Sequence, residues 1–246
     1  MKLPWPELTV GNAPTAVLLR DEYYPFGARL DMLYLSDFHF TGRSRARAAA
    51  LLAQVQALRP GLILLGGDYA DTRAGLLPLA HFARGAARVA PVLAVAGNHD
   101  VFLGTTLVRQ TLQAAGAQWL EGRCARFRLD AAHAVHIAGN YSAPEPGGLQ
   151  PGLLRVLCAH YPPAGPALPP AYDLILAGHL HGGQVVGWQR QGHLFPGRWL
   201  ARWNVLRDMQ GSATVVVSRG LGDTLPIRYN CPREIVRIRL GPEPAS

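Results

Sequence analysis

Lysine is almost absent from this chain of 246 residues: Lys2 stands alone, and the other 23 basic residues are arginine. Against 16 acidic residues they leave a net charge of +8, which favours anionic partners such as phosphates, nucleic acid or an anionic membrane surface. The arginines are scattered, the densest set being Arg43, Arg45 and Arg47, whereas a dedicated nucleic-acid binder gathers its charge in a stripe. Cysteine is scarce as well. Cys124, Cys158 and Cys231 form an odd set without a CxxC spacing, which excludes a disulfide framework and fits buried thiols in a reducing compartment. Long apolar runs are missing too. The opening stretch carries Pro, Trp and Glu where a secretory signal would be apolar, and residues 16–19 are too few to replace it. The expectation is a cytoplasmic protein without a spanning segment, touching the inner face of the membrane at most peripherally. Charged residues make up only 16%, yet 49% are apolar and the mean hydropathy is +0.07. That is too hydrophobic for disorder and too interrupted by Arg, Gly and Pro to span a bilayer.

What is present is a regular alternation. Apolar runs at residues 30–36, 62–67, 91–97, 134–140, 153–159 and 172–178 are short enough for strands buried on both faces, and several end in Gly or a polar residue. Between them, Ala48, Leu51, Leu52, Val55 and Leu58 recur at helical spacing behind Ser44, a candidate N-cap. Leu107, Val108, Leu112 and Ala115 do the same ahead of Gly116, a candidate C-terminal cap, and a third helix is expected near residues 76–88. Strand and helix alternating through the first half imply right-handed crossovers and a largely parallel sheet; the strand-rich second half implies another sheet packed on it. A Pro- and Gly-rich loop is expected from Ser142 to Pro170. Neither repeats nor low-complexity tracts divide the chain, so residues 1–246 are read as one domain.

Five of the apolar runs end in polar clusters: Ser36-Asp37-Phe38-His39, Gly66-Gly67-Asp68, Gly97-Asn98-His99-Asp100, Ala159-His160 and Gly178-His179-Leu180-His181. Polar groups at the carboxyl ends of neighbouring strands converge on one rim, where open α/β sheets bind ligands. In D-x-H and H-x-H, residues i and i+2 of an extended segment point to one side and reach one small site. Together the clusters supply three side-chain oxygens (Asp37, Asp68, Asn98) and four imidazoles (His39, His160, His179, His181), with no thiolate. This set suits divalent transition ions such as Mn, Fe, Zn or Ni, and seven donors exceed the needs of one tetrahedral ion. Two ions sharing a carboxylate accommodate them.

These motifs, in this order over residues 33–184, resemble the calcineurin-like metallophosphoesterase family. GHLHGGQ at 178–184, VSRGLG at 217–222, Arg228 and Pro232-Arg233-Glu234-Ile235 are similar to a bacterial phosphodiesterase branch with cell-wall-associated and UDP-2,3-diacylglucosamine-hydrolysing members. Leu180, Arg233 and the His160-Tyr161-Pro162 segment depart from that branch's usual residues. The resemblance implies an α/β fold of two facing mixed β-sheets flanked by helices, a four-layer α/β/β/α sandwich with a dinuclear centre at one end. Carried over by position, Asp37, His39 and His181 would hold one ion and Asn98, His160 and His179 the other, with Asp68 bridging.

On that reading a hydroxide bridging the two ions attacks a phosphodiester or pyrophosphate bond. His99, beside Asn98 and free of metal, would protonate the leaving group, with Asp100 orienting its ring. Asn98, Arg43, Arg219 and Gln184 are candidates for holding substrate, the arginines as bidentate forks. Residues 185–209 interleave Trp188, Trp199 and Trp203 with Arg190, Arg198, Arg202 and Arg207, as a cap over the core or a contact with lipid headgroups. A phosphorylated small molecule or lipid-linked substrate is expected, including a lipid precursor of the diacylglucosamine type. A nuclease or cyclic-nucleotide phosphodiesterase is the alternative on the same chemistry, and a metal-bearing scaffold without turnover is a third class, disfavoured by the full set of donors. Nothing in the sequence fixes the oligomeric state.

Overall fold

The computed structural model describes residues 8–10, 17–140, 150–163 and 172–242. Two six-stranded mixed sheets face each other. The first runs, in spatial order, Leu18–Pro25, Glu234–Gly241, Leu30–Leu35, Leu62–Leu65, Val92–Ala94 and Gln118–Trp119. Its last four strands are parallel, and the C-terminal strand is inserted antiparallel to Leu30–Leu35. The second sheet runs Arg207–Gln210, Ala213–Val217, Leu174–Ala177, Leu153–Cys158, Ala134–Gly139 and Cys124–Arg128, parallel in its four central strands. All six apolar runs are strands. Of the expected loop from Ser142 to Pro170, residues 142–149 and 164–170 lie outside the described residues.

Side-chain alternation along each strand sorts the core into layers. On Leu30–Leu35, Met32 and Tyr34 meet Val135, Val156, Leu174 and Val216 of the second sheet, while Leu33 and Leu35 pack under helices. Those helices are α1 (Arg45–Leu58), α2 (Leu76–Ala86), α3 (Asn98–Leu103) and α4 (Thr105–Ala114). Helix α1 buries Ala48, Leu51, Leu52 and Val55, and the positions it leaves exposed are mostly alanine. Ser44 does not cap it: the hydroxyl accepts the N–H of Thr41 instead, at 2.9 Å. Gly116, at φ 98°, follows α4 as expected of a left-handed terminator. On the outer face of the second sheet, Leu157, Ile175 and Val215 are covered by Trp203 and Val205, which residues 185–209 contribute beyond a hairpin (Val186–Arg190, His193–Pro196) and the short helix α5 (Gly197–Leu200). No described helix is long and apolar enough to cross a membrane.

The carboxyl ends of the parallel strands of both sheets meet along one edge. Tyr34 donates its hydroxyl to Ala159 O across the interface at 2.8 Å, and a His160 ring nitrogen lies 2.8 Å from Gly66 O. The polar clusters therefore come together from two sheets.

Candidate metal centre

Each of four motif residues takes a left-handed backbone: Asp37, His39, His179 and His181 have φ of 56°, 46°, 71° and 49°, and Asp68 joins them at 56°. The expectation of extended D-x-H and H-x-H segments is therefore corrected. Positions i and i+2 do reach one site, but by a curled backbone that non-glycine residues seldom adopt and that surrounding packing must hold. Phe38, between two of them, is fully buried against Phe40, Tyr69 and Phe82 and supplies such an anchor. Gly97 and Gly178 let backbone approach the carboxylates: a Cβ on Gly97 would strike Asp68, and one on Gly178 would strike Ser36 and Asp37.

Two donor groups result. In the first, Nε2 of His39 lies 3.3 Å from Nε2 of His181, which lies 3.7 Å from Asp37 Oδ1. Nδ1 of His39 is 2.7 Å from Asp71 and Nδ1 of His181 is 3.2 Å from Gly222 O. With the ring protons on the outward nitrogens, two lone pairs and a carboxylate would face one gap, an arrangement that suits a cation. In the second, Nε2 of His160 is 3.2 Å from Nδ1 of His179, 2.9 Å from Asn98 Oδ1 and 3.4 Å from Asp68 Oδ2, while its Nδ1 meets Gly66 O. Asp68 Oδ2 also lies 3.8 Å from His39 Nε2, between the groups. Among the described residues three groups could hold an ion: Asp37, His39 and His181; Asp68, His160 and His179; and His39, Asp71 and His99, which shares His39 with the first and lies nearer the surface. The donors are nitrogen and oxygen only, so the residues present fit a pair of borderline divalent ions.

The electrostatics follow from this crowding. Burial opposes charge on His160, yet the bond and charge of Asp68 carry its pKa up to about 9; burial likewise opposes ionisation of Asp68, which His160 draws down to about 2. To hold a cation here, His160 would have to give up that proton. Burial, with the charges of His39 and Arg228 adding, pushes His181 down to about 4, which favours the neutral form that a metal ligand would need.

Several expectations need correction. Asp100 does not orient His99. Its carboxylate accepts the backbone N–H groups of Asp68, Gly97 and Tyr69 at 2.8, 2.8 and 3.0 Å, tying the Asp68 loop to the start of α3. Burial, against those bonds, lifts it to about 6. Arg219 cannot offer a fork to substrate: Nε and Nη2 both bind Glu234 Oε2, at 2.8 and 2.5 Å, in the interior. Gln184 is also committed, donating to Leu225 O and Ile227 O and accepting Leu225 N–H. Arg43 is exposed in the turn after Thr41. Cys158 is a buried strand residue, Cys231 is buried with its thiol 3.2 Å from His181 O, and Cys124 is half-buried.

Two positioning residues, Asp71 and Asn140, are not singled out by the sequence motifs, and Arg228 is named only as part of a motif. Asp71 lies one short turn past Asp68, in GDYAD, and touches His39 and His99. Asn140, ending an apolar run as the other site residues do, accepts His160 N–H at 2.9 Å and donates to Ala96 O. Arg228, fully buried, donates to Gly222 O at 2.6 Å and so holds the carbonyl that orients His181. Asn140 was legible from its place at a strand end; the burial of Arg228 and its bond to Gly222 were not.

Residues 31–183 match the profile described as calcineurin-like phosphoesterase. The chain is 28% identical over 240 residues to Phosphodiesterase YaeI of Escherichia coli (strain K12), covering 90% of this chain and 84% of that protein. It is 28% identical over 217 residues to a Bacillus subtilis (strain 168) protein named Uncharacterized metallophosphoesterase YkoQ, covering 81% and 79%. A dimetal phosphatase from Danio rerio shares the fold with a TM-score of 0.50 at 13% identity, over 81% of this chain and 90% of that one.

Proposed function

Because this chain belongs to the calcineurin-like phosphoesterase family and is a metal-dependent hydrolase of phosphoric esters, we propose that it cleaves phosphodiester or pyrophosphate bonds at a two-ion centre held by Asp37, His39, Asp68, Asn98, His160, His179 and His181. The observation that carries this reading is Asp68, whose Oδ2 lies between His39 and His160 and thereby joins the two donor groups. The preference for diesters is supported by the name of the Escherichia coli relative. When bound, the ions supply positive charge to a phosphoryl oxygen and acidify a water.

The chain's own residues do the rest. Asp37 receives the His179 N–H on both carboxylate oxygens, at 3.1 and 3.2 Å, and so couples the two histidine-bearing loops. Asp68 Oδ1 accepts the His99 backbone N–H at 2.8 Å, which fixes the first turn of α3 beside the centre. His99 remains outside both donor groups, with its ring half-exposed and 4.6 Å from that of His39, placed to give a proton to a departing oxygen. Tyr161, whose ring packs 4.4 Å from that of His179, forms another wall of the mouth. Arg43 is kept as a candidate contact for substrate phosphate.

The test is elemental analysis of the purified protein, then hydrolysis of bis-p-nitrophenyl phosphate, a monoester and a nucleotide pyrophosphate with Mn, Fe, Zn or Ni added. Metal-dependent turnover with diester or pyrophosphate favoured supports the reading. A protein that binds two ions and hydrolyses only monoesters overturns the substrate class, and one that binds no metal overturns the centre.

A further inference from the structure

The loop that carries His179 and His181 is backed by an apolar surface that the chemistry does not use. Leu200 is 90% exposed, Trp199 70% and Leu225 65%, and Trp188, Ile227 and Val185 are also exposed. Trp188 stacks on Phe195 with ring centroids 5.2 Å apart, and Trp199 packs edge-on against both. The hairpin and α5 that carry this group sit against the ligand loop: a Cβ on Gly183, two residues beyond His181, would contact Gly197 at 3.5 Å. The side chain of Gln184 ties the 225–227 segment to the same loop. Soluble proteins seldom leave this much aromatic and aliphatic surface in water without a partner for it.

Charge identifies the partner. Residues 185–209 contain Arg190, Arg198, Arg202 and Arg207 against one acid, Asp208. Arg207 is engaged by Glu22, but Arg190 and Arg202 are exposed, Arg202 with its guanidinium 5.0 Å above the ring of Trp203. Tryptophan and leucine flanked by arginine match the boundary between headgroups and acyl chains, where an amphipathic ring is wetted on one side and a guanidinium meets lipid phosphate.

We propose that the hairpin and α5, with the 224–227 loop, form a docking surface for an anionic phospholipid bilayer. Trp199 and Leu200 enter the acyl boundary while Arg190 and Arg202 meet headgroup phosphates. The consequence for substrate rests on the proposed function: a phosphate carried at the bilayer surface is presented next to the GHLHGGQ loop.

The test uses the full chain, loaded with metal and sedimented with phosphatidylcholine vesicles, with and without phosphatidylglycerol. Wild type binds the anionic vesicles more tightly than the neutral ones, its tryptophan emission shifts to the blue, and salt weakens the binding. The double variant Trp199→Ala/Leu200→Ser loses about tenfold in vesicle affinity, and Arg190→Glu loses affinity for anionic vesicles alone. Unchanged hydrolysis of a small water-soluble diester shows that these variants are folded. Wild type left in the supernatant, or the double variant sedimenting as wild type does, overturns the proposal. So does concentration-dependent dimerisation abolished by Leu200→Ser, which would give the patch to a second copy of the chain. Vesicle binding is read without turnover, so its failure is distinct from failure of the hydrolysis assay.

Discussion

Asp71 Oδ1 lies 3.2 Å from Nδ1 of His99 and, at the same time, 2.7 Å from Nδ1 of His39. One carboxylate thus holds the Nδ1 side of two rings, and the Nε2 of His39 faces Asp68 and His181. Burial opposes the charge on Asp71, but the bond and charge of His39 hold its carboxyl below the usual carboxylate value. On the proposed reading the two rings have different tasks, one as a ligand and one as a proton donor, and Asp71 would orient both.

If His99 gives the proton, His99→Ala keeps its metal and loses turnover. The expected fall in kcat is about 10²- to 10⁴-fold for a diester with a poor leaving group, and smaller for a nitrophenolate that departs unaided. Elemental analysis alongside kinetics checks it, and full turnover on the poor leaving group would remove His99 from the mechanism.

Asp71→Asn separates positioning from donation. The variant keeps both imidazoles but loses the charge that orients them, so metal affinity falls about 10- to 100-fold and kcat falls even at saturating metal. Titration of bound metal and kcat measured at several metal concentrations distinguish the two losses. A variant with native affinity and native kcat would make the Asp71 contacts incidental.

Asp68→Ala tests the shared carboxylate. Its removal takes an oxygen from between the two donor groups and the acceptor from the His99 N–H. Bound metal and activity are expected to fall together, and the rise in Tm produced by added divalent ion in the wild type is expected to shrink. Retention of both ions would show that Asp68 does not bridge.

That the candidate donors come together was legible because each follows an apolar strand, and strand ends on one rim lie close to one another. The identity of the carboxylate facing His99 was not. Asp100 is the third residue of α3 and turns back to accept the N–H groups at that helix start, while Asp71 reaches the ring from another loop. That choice depends on where a helix begins, and no motif marks it. Arg219 and Gln184 went astray for a related reason: their partners lie 15 and 41 residues along the chain, across a strand or loop whose place only the fold decides. The C-terminal strand is an instance. Nothing local to Glu234–Gly241 says that it inserts between Leu18–Pro25 and Leu30–Leu35.

Gln184→Ala follows from that reassignment. The truncation removes three hydrogen bonds to Leu225 and Ile227 from a buried amide, a loss of about 1–3 kcal/mol in unfolding free energy by urea titration. KM for a small diester is expected to stay as in the wild type. A raised KM with unchanged stability would return Gln184 to the substrate.

Glu234 provides a pH test of the buried pair that occupies Arg219. Burial opposes its ionisation, but the guanidinium groups of Arg20 and Arg219, at 3.1 and 2.5 Å, hold the carboxyl below its ordinary 4.5. A carboxylate with a depressed folded pKa stabilises the native state fully above the unfolded value, and that stabilisation disappears as pH falls through the folded one. Glu234→Gln leaves the buried guanidinium of Arg219 without its counter-charge and turns an amide N–H toward it, while Arg20 keeps Glu22 at 2.5 Å, for a loss of about 3 kcal/mol at neutral pH. The gap between wild type and variant should be level across neutral pH and narrow below pH 4.5, as the wild-type carboxyl takes up its proton. Urea unfolding of both proteins over that range measures it. A gap that stays constant into acid would show that shape, rather than charge, keeps Glu234 in place.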